Sequence, residues 1–84
     1  MPNTKTGTHR PLPEPVAEAL ASALRELRTN RRVTQEDLAA RAGVSVQMVR
    51  RLEAGTANPT LGTLHAVTTA LDIAWSDLLL DVER

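Results

Sequence analysis

The segment from Thr34 to Gly55 constrains this chain more than any other feature. Its turn residues and apolar spacing fit two short helices joined by a tight glycine turn. Thr34 offers an N-cap oxygen and Asp37 stands three residues later, the spacing of a capping box. Leu38 and Ala42 share one face of the helix that follows. Gly43 then falls where a helix ends, a place that needs positive φ and tolerates it without a Cβ penalty. Ser45 caps the second helix, and Val49 and Leu52 are its inward side chains. Val46, Gln47, Arg50 and Arg51 remain outward.

The flanks extend the same pattern. Pro15 suits the first turn of an opening helix, where its missing N–H costs little. Val16, Leu20, Ala23, Leu24 and Leu27 repeat at helical spacing as far as Asn30. Gly55 is a C-cap candidate and Asn58-Pro59 a stop. Thr60 caps a fourth helix with the stripe Leu61, Leu64, Val67, Thr68 and Leu71, bordered by His65. Asp72-Ile73 is a tight connection, and Trp75, Leu78, Leu79 and Val82 belong to a short last helix over about 75–82. No β alternation and no internal repeat appear. The expectation is an all-α, five-helix domain over 14–84, preceded by a polar, Thr- and Pro-rich, disordered arm over 1–13.

Composition narrows the chemistry. With 84 residues and one aromatic residue, Trp75, the core must be built from Leu, Val, Ile and Ala. The absence of cysteine excludes disulfides and thiolate metal sites. His9 and His65 are too far apart in sequence to suggest a metal site. No paired histidine and nucleophile and no phosphate-cradling glycine loop is present, so neither an enzyme nor a cofactor is expected. Asp77 and Asp81, one turn apart, read as solvated charge. No apolar run is long enough to cross a membrane, and the N-terminus lacks the apolar stretch of a secretory signal, so the cytoplasm is the expected location.

The formal net charge is zero, but it is unevenly spread. Between Arg25 and Arg51 there are seven arginines against three acids, a local balance of +4, and from Glu53 to Arg84 the balance is −4. A bipolar molecule of this kind can set one face against phosphate while its other end is repelled. The positive half coincides with the helix pair, whose outward forks and amide are groups that read base edges in a DNA major groove.

The Thr34-Gln35-Glu36 and Leu38-Ala39 opening, the Ala42-Gly43-Val44-Ser45 turn, the Leu52-Glu53 and Gly55 close, and Asn58-Pro59-Thr60-Leu61 resemble the helix-turn-helix of the Xre/Cro family, of the lambdoid phage repressor type. The resemblance runs from about Leu24 to Leu79. It implies a lambda-repressor-like fold, a helix-turn-helix at about 34–54 and double-stranded DNA as partner, with helix 45–53 in the major groove. It implies a phosphate contact for Gln35 at the front of its helix. Gln47 and Arg51, one turn apart, can address successive base pairs, with Arg50 on the flank suited to phosphate. Val46 falls where related repressors place a polar reader; here it can touch a thymine methyl or simply cover groove surface. Ser45 caps its helix and can lie near phosphate. Ala54 departs from the family's asparagine, a backbone contact that Thr56 or Asn58 can replace. Arg31 and Arg32 are phosphate contacts or plain loop charges. Lys5, His9 and Arg10 read as a mobile tail or as a basic arm for the minor groove.

Related phage repressors carry an arginine–glutamate pair at positions matching Arg28 and Glu53. Such a tie would set the angle of the second helix and leave an N–H free for phosphate; if exposed it adds ~0–1 kcal/mol. Ala74 departs from the family's serine-like cap, which leaves the start of the last helix open. Trp75, Leu79, Leu80 and Val82 are more apolar surface than one short helix can bury, so a face for a second copy is expected. A two-fold homodimer would place two such helices ~34 Å apart on a pseudo-palindrome. The implied settings are a phage-type repressor, a restriction–modification controller or the DNA-binding antitoxin of a toxin pair. The alternative is a protein-interaction module that keeps the fold and binds a partner protein instead.

Overall fold

A computed structural model describes residues 10–83. Five helices follow one another: α1, Glu14–Asn30; α2, Gln35–Ala42; α3, Val46–Glu53; α4, Leu61–Ala70; and α5, Trp75–Glu83. There is no strand among the described residues, so the all-α expectation holds. Among the described residues no helix is long and apolar enough to cross a membrane.

The helix starts follow from single side chains. The hydroxyls of Thr34, Ser45 and Thr60 accept from the backbone N–H groups of Asp37, Met48 and Thr63 at 3.0, 3.0 and 3.1 Å. Each satisfies one of the donors that a helix start leaves unpaired. α1 opens without a side-chain cap and with Pro15 in its first turn. α5 begins at Trp75, where Asp77 N–H donates to the Ala74 carbonyl at 3.0 Å.

The helix ends share one device. Arg32, Gly43, Gly55 and Asp72 hold φ of 57°, 71°, 74° and 60°, and each lies at the end of one of the first four helices. After α1, Arg32 N–H bonds Thr29 C=O and Val33 N–H bonds Arg28 C=O, the paired bonds of a Schellman motif. Asp72 and Ile73 repeat it on Thr69 and Thr68. Val33 is buried and Ile73 packs against the core, so an apolar residue pins two of these turns just beyond the left-handed one. Glycine marks two of the four ends; the other two force an ordinary residue into a conformation that costs it roughly 1 kcal/mol.

The core joins all five helices through Leu20, Leu24, Leu38, Val49, Leu52, Leu64, Val67, Leu71 and Leu78. α1 packs on α3 and α5, α2 on α3 and α4, and α4 on α5. Thr68 is buried on the α4 stripe, its hydroxyl donating to the carbonyls of Leu64 and His65. Backbonding of this sort makes a threonine tolerable there. Two stripe assignments shift. On α2 it is Ala39 that is buried beside Leu38, with Ala42 half-buried. Leu61, expected in the α4 stripe, is 65% exposed: it is the first residue of the helix and faces away from the core. Trp75 meets the edge of His65 at 5.6 Å between ring centroids.

Two substitutions separate conformation from packing in urea melts. A Cβ at Gly43 would meet nothing within 4 Å, so Gly43→Ala should cost about 1 kcal/mol through φ alone. Leu78 is fully buried, so Leu78→Ala should cost about 2–5 kcal/mol.

Candidate nucleic-acid interface

The geometry of α3 depends on one buried carboxylate. An eight-residue helix is too short to persist alone, so its position comes from tertiary ties. Glu53, its last residue, is 5% exposed. Arg28 of α1 donates Nε–H to Glu53 Oε2 at 2.6 Å and an Nη2–H to Oε1 at 2.9 Å. Its remaining nitrogen, Nη1, donates to the Val33 carbonyl at 2.8 Å, in the loop before α2. Gln35, the first residue of α2, donates its amide N–H to Glu53 Oε1 at 3.0 Å. Arg25 donates to the Glu53 backbone carbonyl at 2.9 Å, placing a cation at the C-terminus of α3, where the helix dipole favours it. Two helices, α1 and α2, thus converge on one residue of a third, and Arg28 ties in the loop between them.

Burial decides the condition that the sequence left open for this pair. The side chains of Arg28 and Glu53 are 13% and 4% exposed, so the pair lies in the regime of buried rather than surface ion pairs. Each of the three Arg28 nitrogens donates once inside the protein, and Nη1 and Nη2 each carry one N–H beyond these bonds. The hydrogen bonds to Glu53 raise the Arg28 guanidinium above its ordinary value; burial opposes this, and the charges of Glu53 and Glu36 add to it. A raised arginine value stabilises the fold at every pH below the ordinary arginine range, so no pH dependence near neutrality follows from it.

The outward side of α3 carries Gln47, Arg50 and Arg51, all exposed. Val46 is half-buried and packs against the core, so less of it is outward than its position implied. Arg51 makes no side-chain bond among the described residues, nor do Arg32 and Arg41. Arg50 does: its Nη2 lies 3.2 Å from Glu36 Oε2 on α2, with the two side chains 55% and 65% exposed. Arg31 reaches back to the Leu27 carbonyl at 3.4 Å. Gln35 is half-buried and spends one amide hydrogen on Glu53, which leaves it a second donor. Ser45 is exposed and caps α3.

The loop after α3 is occupied internally. Thr56 donates to the Arg51 carbonyl at 3.3 Å, and Asn58 donates to the Arg10 carbonyl at 2.8 Å. The amide expected to replace a family asparagine therefore holds the segment before α1, where Leu12 also packs on the core. Lys5 and His9 lie outside the described residues. Arg25, Glu36, Val33 and the Arg10 carbonyl were not singled out from sequence. Arg25 was within reach, since it stands three residues before Arg28 on one face of α1. Nothing local marks the others.

A helix-turn-helix unit with a capped, arginine-bearing second helix matches a known family. The family model for HTH_3, described as helix-turn-helix, matches residues 24–78. The chain belongs to this family. Membership confirms the Xre-type resemblance and the lambda-repressor-like fold, and the relatives are transcriptional regulators. The HTH-type transcriptional regulator DdrOP3 of Deinococcus deserti is 41% identical over 64 residues, covering 76% of this chain and 50% of the relative. The chain thus spans half the length of that regulator. The crystal structure of the clp gene regulator ClgR from Corynebacterium glutamicum superimposes with a TM-score of 0.79 at 35% identity, over 84% of this chain and 77% of the other. The restriction–modification controller protein C.AhdI from Aeromonas hydrophila gives 0.72 at 35% identity, over 74% and 94%.

Removing one partner of the buried pair should be costly. Glu53→Ala strands the Arg28 guanidinium and should lose about 3–5 kcal/mol in a denaturant melt. The double replacement Arg28→Met with Glu53→Leu should recover at least half of that loss, because paired apolar side chains carry no desolvation penalty.

Proposed function

We propose that this protein is a sequence-specific DNA-binding transcriptional regulator that acts as a homodimer on a pseudo-palindromic operator, with α3 in the major groove. The observation that carries the reading is the exposed Gln47 and Arg51, four residues apart on a helix whose far end is fixed by a buried carboxylate. A rigidly held helix is what base readout requires, because bidentate contacts tolerate little misplacement. Arg51 would pair with guanine and Gln47 with adenine. Val46 would cover the groove wall. Arg31, Arg32, Gln35 and Ser45 would supply the phosphate-side contacts, which fix register without carrying sequence, and Arg50 would meet the DNA from the flank of α3. Thr56 and Asn58 would contribute chiefly by shaping the loop after α3.

The dimer reading rests on α5. Leu79 and Leu80 are 41% and 63% exposed, next to the fully buried Leu78. Trp75 and Val82 are half-buried and would border such an interface. A two-fold axis through α5 would give an isologous contact and set the spacing of the half-sites. Repression is the output we favour, since a dimer seated in the groove excludes other proteins from the same DNA. The setting would be a phage-type repressor or a restriction–modification controller, as the name of C.AhdI suggests by analogy.

Selection of duplexes from a random pool at two salt concentrations tests this directly. The expected result is a two-fold symmetric motif whose binding falls about tenfold or more over a few-fold rise in salt. Arg51→Ala should relax one position in each half-site at a cost of about 1–3 kcal/mol. Leu79→Ser with Leu80→Ser should yield a monomer by sedimentation and weaken operator binding. Recovery of no motif, with binding indifferent to salt, would favour a protein-partner role.

A further inference from the structure

Among the exposed arginines 31, 32, 41, 50 and 51, Arg50 alone is paired with an acid. Glu36, its partner, stands in the first turn of α2, and the contact uses one guanidinium nitrogen and one carboxylate oxygen at 3.2 Å. Neither of two bland roles accounts for it. Side chains this exposed contribute little to stability as a pair. An acid in the first turn does complement the helix dipole, but Asp37 already stands in the same turn. Glu36 also places a negative charge on the segment that carries the chain's positive excess, which would lower affinity for any polyanion.

We propose that Glu36 is a specificity-determining residue: by engaging Arg50 it withholds this guanidinium from sequence-blind phosphate contact and keeps it for base edges. The inference rests on the DNA-binding reading above and adds to it the control of discrimination. A long arginine beside a DNA groove has phosphate oxygens within reach on every sequence, and each such contact strengthens specific and non-specific binding alike. With Glu36 in place, a phosphate bound by Arg50 must sit close to a carboxylate, whose like charge repels it. A guanine edge meets no such repulsion. The single-nitrogen contact leaves most of the Arg50 N–H donors unspent, and the carboxylate steadies the side chain while they point elsewhere. The contrast with Glu53 is informative. That carboxylate binds Arg28 through two oxygens in a buried site and also accepts from Gln35, so the pair cannot open without loosening the tie between three helices. The Glu36 pair is exposed, single-pronged and readily opened, as a competitor for one side chain should be.

The test compares the wild type, Glu36→Gln, Arg50→Gln and the double variant. Each is titrated across salt on the duplex recovered by selection and on a scrambled duplex of equal length. Glu36→Gln should raise affinity for the scrambled duplex about three- to tenfold and steepen the log–log salt dependence by about 0.9, one added phosphate. Affinity for the recovered duplex should change less than about twofold, so that discrimination falls by the difference. In the Arg50→Gln background the same replacement should change neither. An equal gain on both duplexes, or a gain that survives without Arg50, would show Glu36 to be a general repeller of DNA and overturn the proposal. So would unchanged binding in Glu36→Gln while the wild type still discriminates. A wild type that binds neither duplex would remove the DNA-binding reading itself, and this proposal with it.

Discussion

Everything that places α3 depends on a carboxylate buried at its end. Glu53 receives Arg28 from α1 and Gln35 from α2, while its backbone carbonyl receives Arg25. Through Arg28 the same cluster reaches the Val33 carbonyl, in the turn between the first two helices. Burying a charge is expensive, and a pair of this kind is weak evidence for stability, since apolar side chains of similar size fill such space at no electrostatic cost. What an apolar cluster lacks is direction. Hydrogen-bond forks fix angle as well as distance, and an eight-residue helix with two inward side chains, Val49 and Leu52, could otherwise rock on its packing surface. We read the cluster as the device that converts a marginal helix into a fixed one.

The short connections serve the same end. Four successive helices stop in a left-handed residue, which reverses the chain within one or two positions. α2 and α3 are thereby held close, and the turn at Gly43 presents α3 without a long loop to blur its position. Arg32 and Asp72 take this conformation without the freedom of glycine. At Arg32 an exposed guanidinium, unpaired among the described residues, stands beside the proposed phosphate side, so the strain coincides with a charge that function can use.

How far the sequence disclosed this can be judged residue by residue. The caps at Thr34, Ser45 and Thr60 and the turn at Gly43 were legible because their signals are local: one side chain, one backbone group, a spacing of three. The apolar stripes were legible where periodicity extends over several turns, as at Leu20, Leu24, Leu64, Val67 and Leu71. Leu61 failed because one residue at a helix start has no turn before it to define a face. The left-handed φ of Arg32 was not legible, because it is imposed by the bonds that close the turn and by Val33 packing beside it, with no composition to announce it. The site was legible as a set of outward residues on α3. It was not legible as a network, since Arg25–Glu53, Gln35–Glu53, Glu36–Arg50 and Asn58–Arg10 join positions 14 to 48 residues apart. Such pairs follow from helix crossing angles, which a single sequence does not carry.

The same geometry decides how much of the local arginine excess is left unpaired. Of the seven arginines between 25 and 51, two are drawn onto Glu53, one through its carboxylate and one through its carbonyl. They act as struts and leave little charge to offer a ligand. Arg50 is shared with Glu36. Those without a side-chain partner among the described residues, Arg32, Arg41 and Arg51, are therefore a minority of the cationic total. A chain that kept every arginine free would bind polyanions more tightly and less selectively, because counterion release rewards each phosphate contact on any sequence. On the proposed reading, by committing part of its positive charge to its own carboxylates this protein would trade affinity at large for control over which few guanidinium groups meet DNA.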